Sequence, residues 1–336
     1  MLVDLHGIAV DCVTRDGTIR ERWARSFSSR PPVFGMAPDI TFSLELVAQV
    51  PEPPAGESNF TQGNLLSVTL AGQRVNIHFP RFGQLRIDLA SQRVEGAIVQ
   101  AALDAYGVFE DVVAMGLASL LRRRGMFLIH AFAASQRHRA LLLAGAIGSG
   151  KTTTGISLLR AGWKLLSNDS PLLKIDEPIH PVDAETPRAG RILALSYPGL
   201  LSAYPDTMRR FPELQQLSAL EEPVSPLGTG SRRKITFAAE SVYPDVWAEA
   251  APVGAIVFPR VAHAQEHRVA RLGEAEALRR LLPNAIDRWD TALIPAHLYL
   301  LKTLAASTPA YDVELGESVE TLPALLEWLL TTTAAL

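Results

Sequence analysis

Apolar and polar residues alternate through the first third of the chain. Ile40-Thr41-Phe42-Ser43-Leu44-Glu45-Leu46 carries the period of a strand with one solvated face. Leu66–Leu70 and Val75–Phe79 flank Ala71-Gly72-Gln73 and predict a hairpin, and Leu85, Ile87 and Leu89 alternate again. Pro51–Ser58, dense in proline, reads as an exposed connection. Residues 1–95 are therefore predicted to form a β-rich N-terminal domain. Near residue 96 the period turns helical. Ala97, Val99, Ala101, Ala102 and Ala105 predict one helix, and Val112, Val113, Met115, Leu117, Leu120 and Leu121 a second. The second ends in Arg122-Arg123-Arg124-Gly125, which fits a helix C-terminus by dipole and capping, with an anion patch as the competing reading.

From Phe127 the pattern is that of an α/β fold, and residues 96–336 are read as one catalytic domain with C-terminal helices. Phe127–Phe132 and Ala140–Ala144 predict strands, Thr152–Arg160 a helix, and Trp163–Ser167 a further strand. Pro178–Ser231 is richer in Pro and Gly and predicts loops that cover a site. Val253–Phe258 and His267–Leu272 predict strands paired with each other. Helices are predicted at about 274–282, 296–306 and 322–331.

Between the strand at 140–144 and the helix that follows lies Gly145-Ala146-Ile147-Gly148-Ser149-Gly150-Lys151-Thr152, a full G-x-x-x-x-G-K-[ST] sequence, followed by Thr153. Its glycines let consecutive backbone N–H groups curl towards a phosphate, and the helix N-terminus adds partial positive charge. Lys151 is placed to reach β/γ oxygens and the Thr152 hydroxyl to bind Mg²⁺. The bland alternative is a glycine-rich turn with no ligand.

Composition narrows the setting. At 336 residues the chain exceeds one typical core. The 32 basic and 35 acidic side chains leave a net charge of −3, which argues against a nucleic-acid or anionic-membrane binder. Cys12 is the single cysteine, so no disulfide framework or thiolate metal cluster is expected. The start, Met1-Leu2-Val3-Asp4-Leu5-His6, has no signal-peptide pattern, and apolar runs such as Leu298–Leu301 are too short to span a membrane. A cytoplasmic enzyme is expected.

Three features bear on the reaction. Ser167-Asn168-Asp169 ends the strand after the loop helix, where a carboxylate can bind Mg²⁺; the plain alternative for Asp169 is a capping turn. His130 stands on the strand before the loop strand. It reaches the phosphates if those strands are neighbours, and is otherwise a core histidine. Downstream lie Arg188, Arg191 and Arg232-Arg233-Lys234, guanidinium donors for a phosphoryl group or ordinary surface charge.

His130, the loop from Gly145 to Thr152, and the run Leu158–Asp169 together resemble the catalytic core of the HPr kinase/phosphorylase superfamily. The resemblance is closest to the HPr-kinase-like proteins that accompany lasso-peptide biosynthesis. It is specific over about residues 117–170 and looser from Glu274 through Leu278-Arg279 to Leu281–Asn284. It implies a P-loop kinase core related to phosphoenolpyruvate carboxykinase, with ATP and Mg²⁺ as cofactors. The implied reaction moves the γ-phosphate to a serine hydroxyl of a peptide or small protein, a lasso-precursor peptide among these relatives. Ring-like or dimeric homo-oligomers are implied too. Arg188, Arg191 and Glu185 lie in the region of that family's downstream signature loop.

One position departs from the family, which shows two adjacent acids, the first as base towards the acceptor hydroxyl and the second as metal ligand. Here the first is Asn168, whose amide can orient a hydroxyl and cannot take its proton. Asp169 then serves both roles, or His130 assists, or positioning dominates through a loose transition state. Two further functions compete: a nucleotide-gated peptide-binding protein without phosphotransfer, and a small-molecule hydroxyl kinase. His263-Ala264-Gln265-Glu266-His267 matches the inverted zinc-protease spacing, but falls between two predicted strands and reads as a polar loop.

Overall fold

The computed structural model describes residues 1–30, 32–53, 58–176, 191–219, 234–262, 264–285 and 289–332. The fold is mixed α/β, and the chain divides into two compact units. Among the described residues no helix is long and apolar enough to cross a membrane.

The first unit comprises Met1–Arg124, Pro198–Ala238 and Asp287–Thr291. Its strands are β1 (Leu2–Asp4), β2 (Ala9–Val13), β3 (Ile40–Leu46), β4 (Phe60–Gln62), β5 (Leu66–Ala71), β6 (Arg74–Phe79), β7 (Gly83–Asp88) and β8 (Arg93–Ile98). They form one sheet in the order β1-β2-β3-β8-β7-β6-β5-β4. The alternation seen in the sequence is structural: Ile40, Phe42 and Leu44 are buried while Thr41 and Ser43 are half-exposed. Helices α1 (Gly17–Ser26), α2 (Gln100–Asp104) and α3 (Val108–Leu121) accompany it. A Cβ on Gly116 of α3 would lie 2.6 Å from the Phe42 ring, so the missing side chain lets α3 approach the sheet.

Helix α1 sits inside the segment read as β-rich, where no helix was expected. The Asp16 carboxylate caps it by accepting from the Ile19 N–H, and Trp23 stacks on Phe27 with ring centroids 4.5 Å apart. Few of its residues are apolar, so helical periodicity is faint. The helix expected over 97–105 is also shorter, because β8 runs to Ile98 and only α2 follows.

Cys12 lies buried in β2, and desolvation pushes its thiol up to about 12 from 9.0. At pH 8 the group stays protonated, with about a thousandfold less thiolate than an exposed cysteine. Reaction with an aromatic disulfide reagent is expected to be at least about 100-fold slower in the folded protein than in urea. Equal rates in the two conditions would show Cys12 to be accessible.

The second unit comprises Gly125–Tyr197, Ala239–Ile286 and Ala292–Leu336. Its strands are β9 (Phe127–Leu128), β10 (Ala131–Gln136), β11 (Arg139–Ala144), β12 (Lys164–Ser167), β13 (Leu172–Asp176), β14 (Arg191–Leu195), β15 (Ala250–Val261), β16 (Arg268–Leu272) and β17 (Ala310–Leu315). The sheet runs β12-β10-β11-β15-β14-β13-β9, and β17 lies between the far end of β15 and β16. β11, β15 and β17 are parallel at this end. Leu141, Leu142 and Leu143 are fully buried, which explains a continuous apolar run where an alternating one would mark a solvated face.

Helices α4 (Lys151–Arg160), α5 (Glu274–Leu281), α6 (Ile294–Ser307) and α7 (Leu322–Thr332) complete this unit. Ala277 and Leu281 of α5 and Leu300, Leu301 and Leu304 of α6 share a core with Ala131, Ala133, Leu142 and Ile256. Phe132 points the other way and meets α4, where a Cβ on Gly155 would lie 2.4 Å from its ring.

Two strand expectations are corrected. Val253–Phe258 and His267–Leu272 do not pair with each other. β17 comes between β15 and β16, because the long crossover through α5 and α6 returns a parallel strand into that gap. Phe127–Phe132 is not one strand either. β9 pairs with β13, β10 pairs with β11 and β12, and the chain bends between them at Ile129-His130. The segment read as covering loops contains regular structure: β14 belongs to this sheet, and Leu201–Ala203 pairs with Ile235–Phe237 in the first unit.

Candidate active site

The glycine-rich sequence occupies the bend between β11 and α4. Gly148 and Gly150 adopt φ of 82° and 98°, values at which a side chain is strained. Gly150 has a second reason to lack a Cβ, which would lie 2.5 Å from Leu315 Cδ1. Lys151, the first residue of α4, is buried, and its ammonium folds back over the loop to donate to the carbonyls of Gly145 and Ala146, the latter at 3.2 Å. Ala146, Ile147 and Gly148 are exposed at the tip, and Thr152 and Thr153 are half-exposed on the first turn of the helix. Ser149 Oγ is buried without a hydrogen-bond partner among the described residues. A buried hydroxyl of that kind, beside a helix N-terminus and an ammonium, suits a polyanion.

Ala131 of β10 pairs with Ala144 of β11, so His130 stands one step beyond this pair, across from Gly145. β12 borders the other edge of β10 and delivers Asn168 and Asp169 to the same end. Backbone bonds fix both side chains: the His130 N–H donates to Asn284 O at 2.7 Å, and the Ala131 N–H donates to Asp169 O at 2.9 Å. His130 Nδ1 then lies 3.2 Å from Asp169 Oδ1, with side-chain exposures of 33% and 57%. The bend at His130 permits this meeting, since a continuous strand would keep the residue in the sheet ladder. Asn168 is half-buried beside them.

A carboxylate that accepts from Nδ1–H leaves Nε2 of the ring as a proton acceptor. Asp169 has a second oxygen for a cation, and Thr152 offers a hydroxyl. Among the described residues no three His, Cys, Asp or Glu side chains gather as a metal site. One carboxylate and one hydroxyl are oxygen donors of the kind Mg²⁺ takes beside phosphates and water.

Among the described residues no contact ties the other candidates to the loop. Arg191 opens β14 opposite Asp176, exposed, and among the described residues no hydrogen bond or ion pair ties it to the loop. Arg188, Glu185, Arg232 and Arg233 lie outside the described residues. Lys234 sits over the Tyr204 ring at 5.2 Å, in the first unit. His263 is likewise outside the described residues, while His267 is structural. Its Nδ1 accepts from the Gly316 N–H at 2.9 Å and its Nε2 meets Ser318 O at 2.9 Å, which leaves no lone pair for a metal. The stretch around it is a loop entering a strand, not a helix.

Neighbours that the sequence did not single out come from β15 and β17. Leu143 of β11 is level with Val257 of β15, and the Pro259 carbonyl lies 3.7 Å from where a Cβ on Gly145 would sit. Arg260 and Val261 therefore end their strand beside the loop. The only signal in the sequence is that an apolar run closes with Pro259-Arg260-Val261.

No protein-family model matches the chain, and no curated protein sequence matches it. Among solved structures, the Hpr(Ser) kinase/phosphatase from Coxiella burnetii is similar, at 11% identity and a TM-score of 0.29, over 62% of this chain and 96% of that one. A likeness this distant assigns no activity to the chain.

Proposed function

We propose that the chain is an ATP-dependent kinase that transfers a γ-phosphate to a serine hydroxyl of a peptide or small protein. A lasso-precursor peptide is the first candidate acceptor. The observation that carries this reading is the His130–Asp169 pair, 3.2 Å apart, at the same sheet end as a glycine-rich bend over which the Lys151 ammonium folds. Backbone N–H groups from Gly145 to Thr153 hold the polyphosphate, and Thr152 with Asp169 would hold Mg²⁺, which would supply neutralising charge to the transferring group. His130 Nε2 takes the serine proton while the serine oxygen bonds to the γ-phosphorus and the bond to the β-phosphate oxygen breaks, giving phosphoserine and ADP. Asn168 orients the hydroxyl, so the imidazole supplies the base that the amide cannot.

The test is phosphate transfer from ATP to seryl peptides, beginning with any short peptide encoded beside this chain and read by mass spectrometry. His130→Gln is expected to lower the transfer rate by about 100-fold or more while leaving ATP affinity nearly unchanged. ATP binding with no phosphate on any peptide would overturn transfer and favour the gated peptide-binding protein.

A further inference from the structure

A nucleotide lying across the bend has two ends, and the sheet offers them different neighbours. At this end the strands run β12-β10-β11-β15-β17. His130 and Asp169 stand on the β10 and β12 side of the loop strand. On the phosphate-loop reading above, which this inference rests on, that side takes the terminal phosphate. The nucleoside end then faces β15 and β17.

That flank is apolar and open. Ile147 at the loop tip is 87% exposed, and Val261 at the end of β15 is 57% exposed. Val261 Cγ2 lies 3.4 Å from the position of a Cβ on Gly150, so the strand end abuts the loop itself. Leu315 of β17 packs under the same glycine. These two aliphatic side chains offer apolar area at the loop that a bound base would remove from water. Arg260, one residue before Val261, points to the opposite face of the sheet, where Asp312 Oδ1 at 3.3 Å and Glu314 hold it. Asp312 in turn holds Arg280 at 2.8 Å, so the guanidinium of Arg260 belongs to a braced network.

We propose that Ile147 and Val261 form the platform for the base of the bound nucleotide. The flat, weakly polar ring removes both aliphatic side chains from water, while the triphosphate is held independently by the bend and Lys151. Affinity for a nucleotide and affinity for a bare polyphosphate are thus separable by substitution.

Calorimetry on the full chain, with Mg²⁺ and either ATP or inorganic tripolyphosphate, tests this. The double substitution Ile147→Ser with Val261→Ser is expected to weaken ATP by about 10- to 100-fold and to leave tripolyphosphate within about twofold. Both positions are exposed, so the variant keeps its fold, and a matching thermal melt checks that. Lys151→Ala is expected to weaken both ligands. Unchanged ATP affinity in the double variant, or equal loss of both ligands, would overturn the platform and leave the phosphate loop standing. Wild-type protein that binds neither ligand would overturn the phosphate loop itself.

Discussion

Lys151→Ala is expected to lose ATP affinity by about 100-fold or more and to abolish phosphate transfer. A lysine ammonium makes charge-assisted hydrogen bonds of about 1.5–3 kcal/mol each, and a triphosphate offers it at least two oxygens. The present partners of Lys151 are the carbonyls of Gly145 and Ala146, neutral acceptors in its own loop. A phosphate oxygen competes well against them because it carries charge. The substitution removes a buried cation and part of its methylene stem, and the two carbonyls sit at a bend open enough for water to replace the ammonium. The melting temperature is therefore expected to stay within a few degrees of wild type. Affinity measured by calorimetry against that melt separates the two effects. An unchanged dissociation constant for ATP would remove Lys151 from the site, and with it the reading of the bend as a phosphate loop.

How much of this site was legible depended on whether its parts are close in the chain. The strand, bend and helix from Arg139 to Arg160 are contiguous, and their signals are local: a buried leucine run, glycines at a turn, a lysine at the first helical position. The approach of His130 to Asp169 needed strand order. β10 had to border β11 on one edge and β12 on the other, and no period in the sequence encodes that. The bend at His130 was masked by apolar residues on both sides, which read as one strand because both halves are buried. Val261 and Leu315 were further from reach, since Val261 arrives on a parallel strand more than 100 residues after the loop and Leu315 only after a further crossover through α5 and α6. Helix α1 was missed for another reason. Ile19 and Trp23 are its main apolar anchors, and a single i,i+4 pair is too sparse to stand above background.

Asp290→Ala is expected to destabilise the first unit by about 3–5 kcal/mol, the cost of leaving a buried guanidinium without its counter-ion. Arg122 and Arg123 close α3 and were read as capping residues. Arg123 does reach back to the Ser119 carbonyl at 2.9 Å, as a cap should. Both arginines also meet Asp290, at 3.3 Å and 2.6 Å, across about half the chain length. Asp290 is fully buried, Arg122 is 2% exposed, and the Arg122 guanidinium lies 4.9 Å over the Trp289 ring. Neither charge can turn to water if the other is removed. A pair this buried adds little over an apolar pair of the same shape, because desolvation offsets the attraction. The single and paired substitutions should therefore differ sharply. Asp290→Ala and Arg122→Met are each expected to lower the urea midpoint, whereas Arg122→Met with Asp290→Leu is expected to recover most of the loss. Tryptophan fluorescence, with Trp289 at the centre of the cluster, follows all three. Additive losses in the double variant would show that the cluster contributes through packing alone and that the two charges are not coupled.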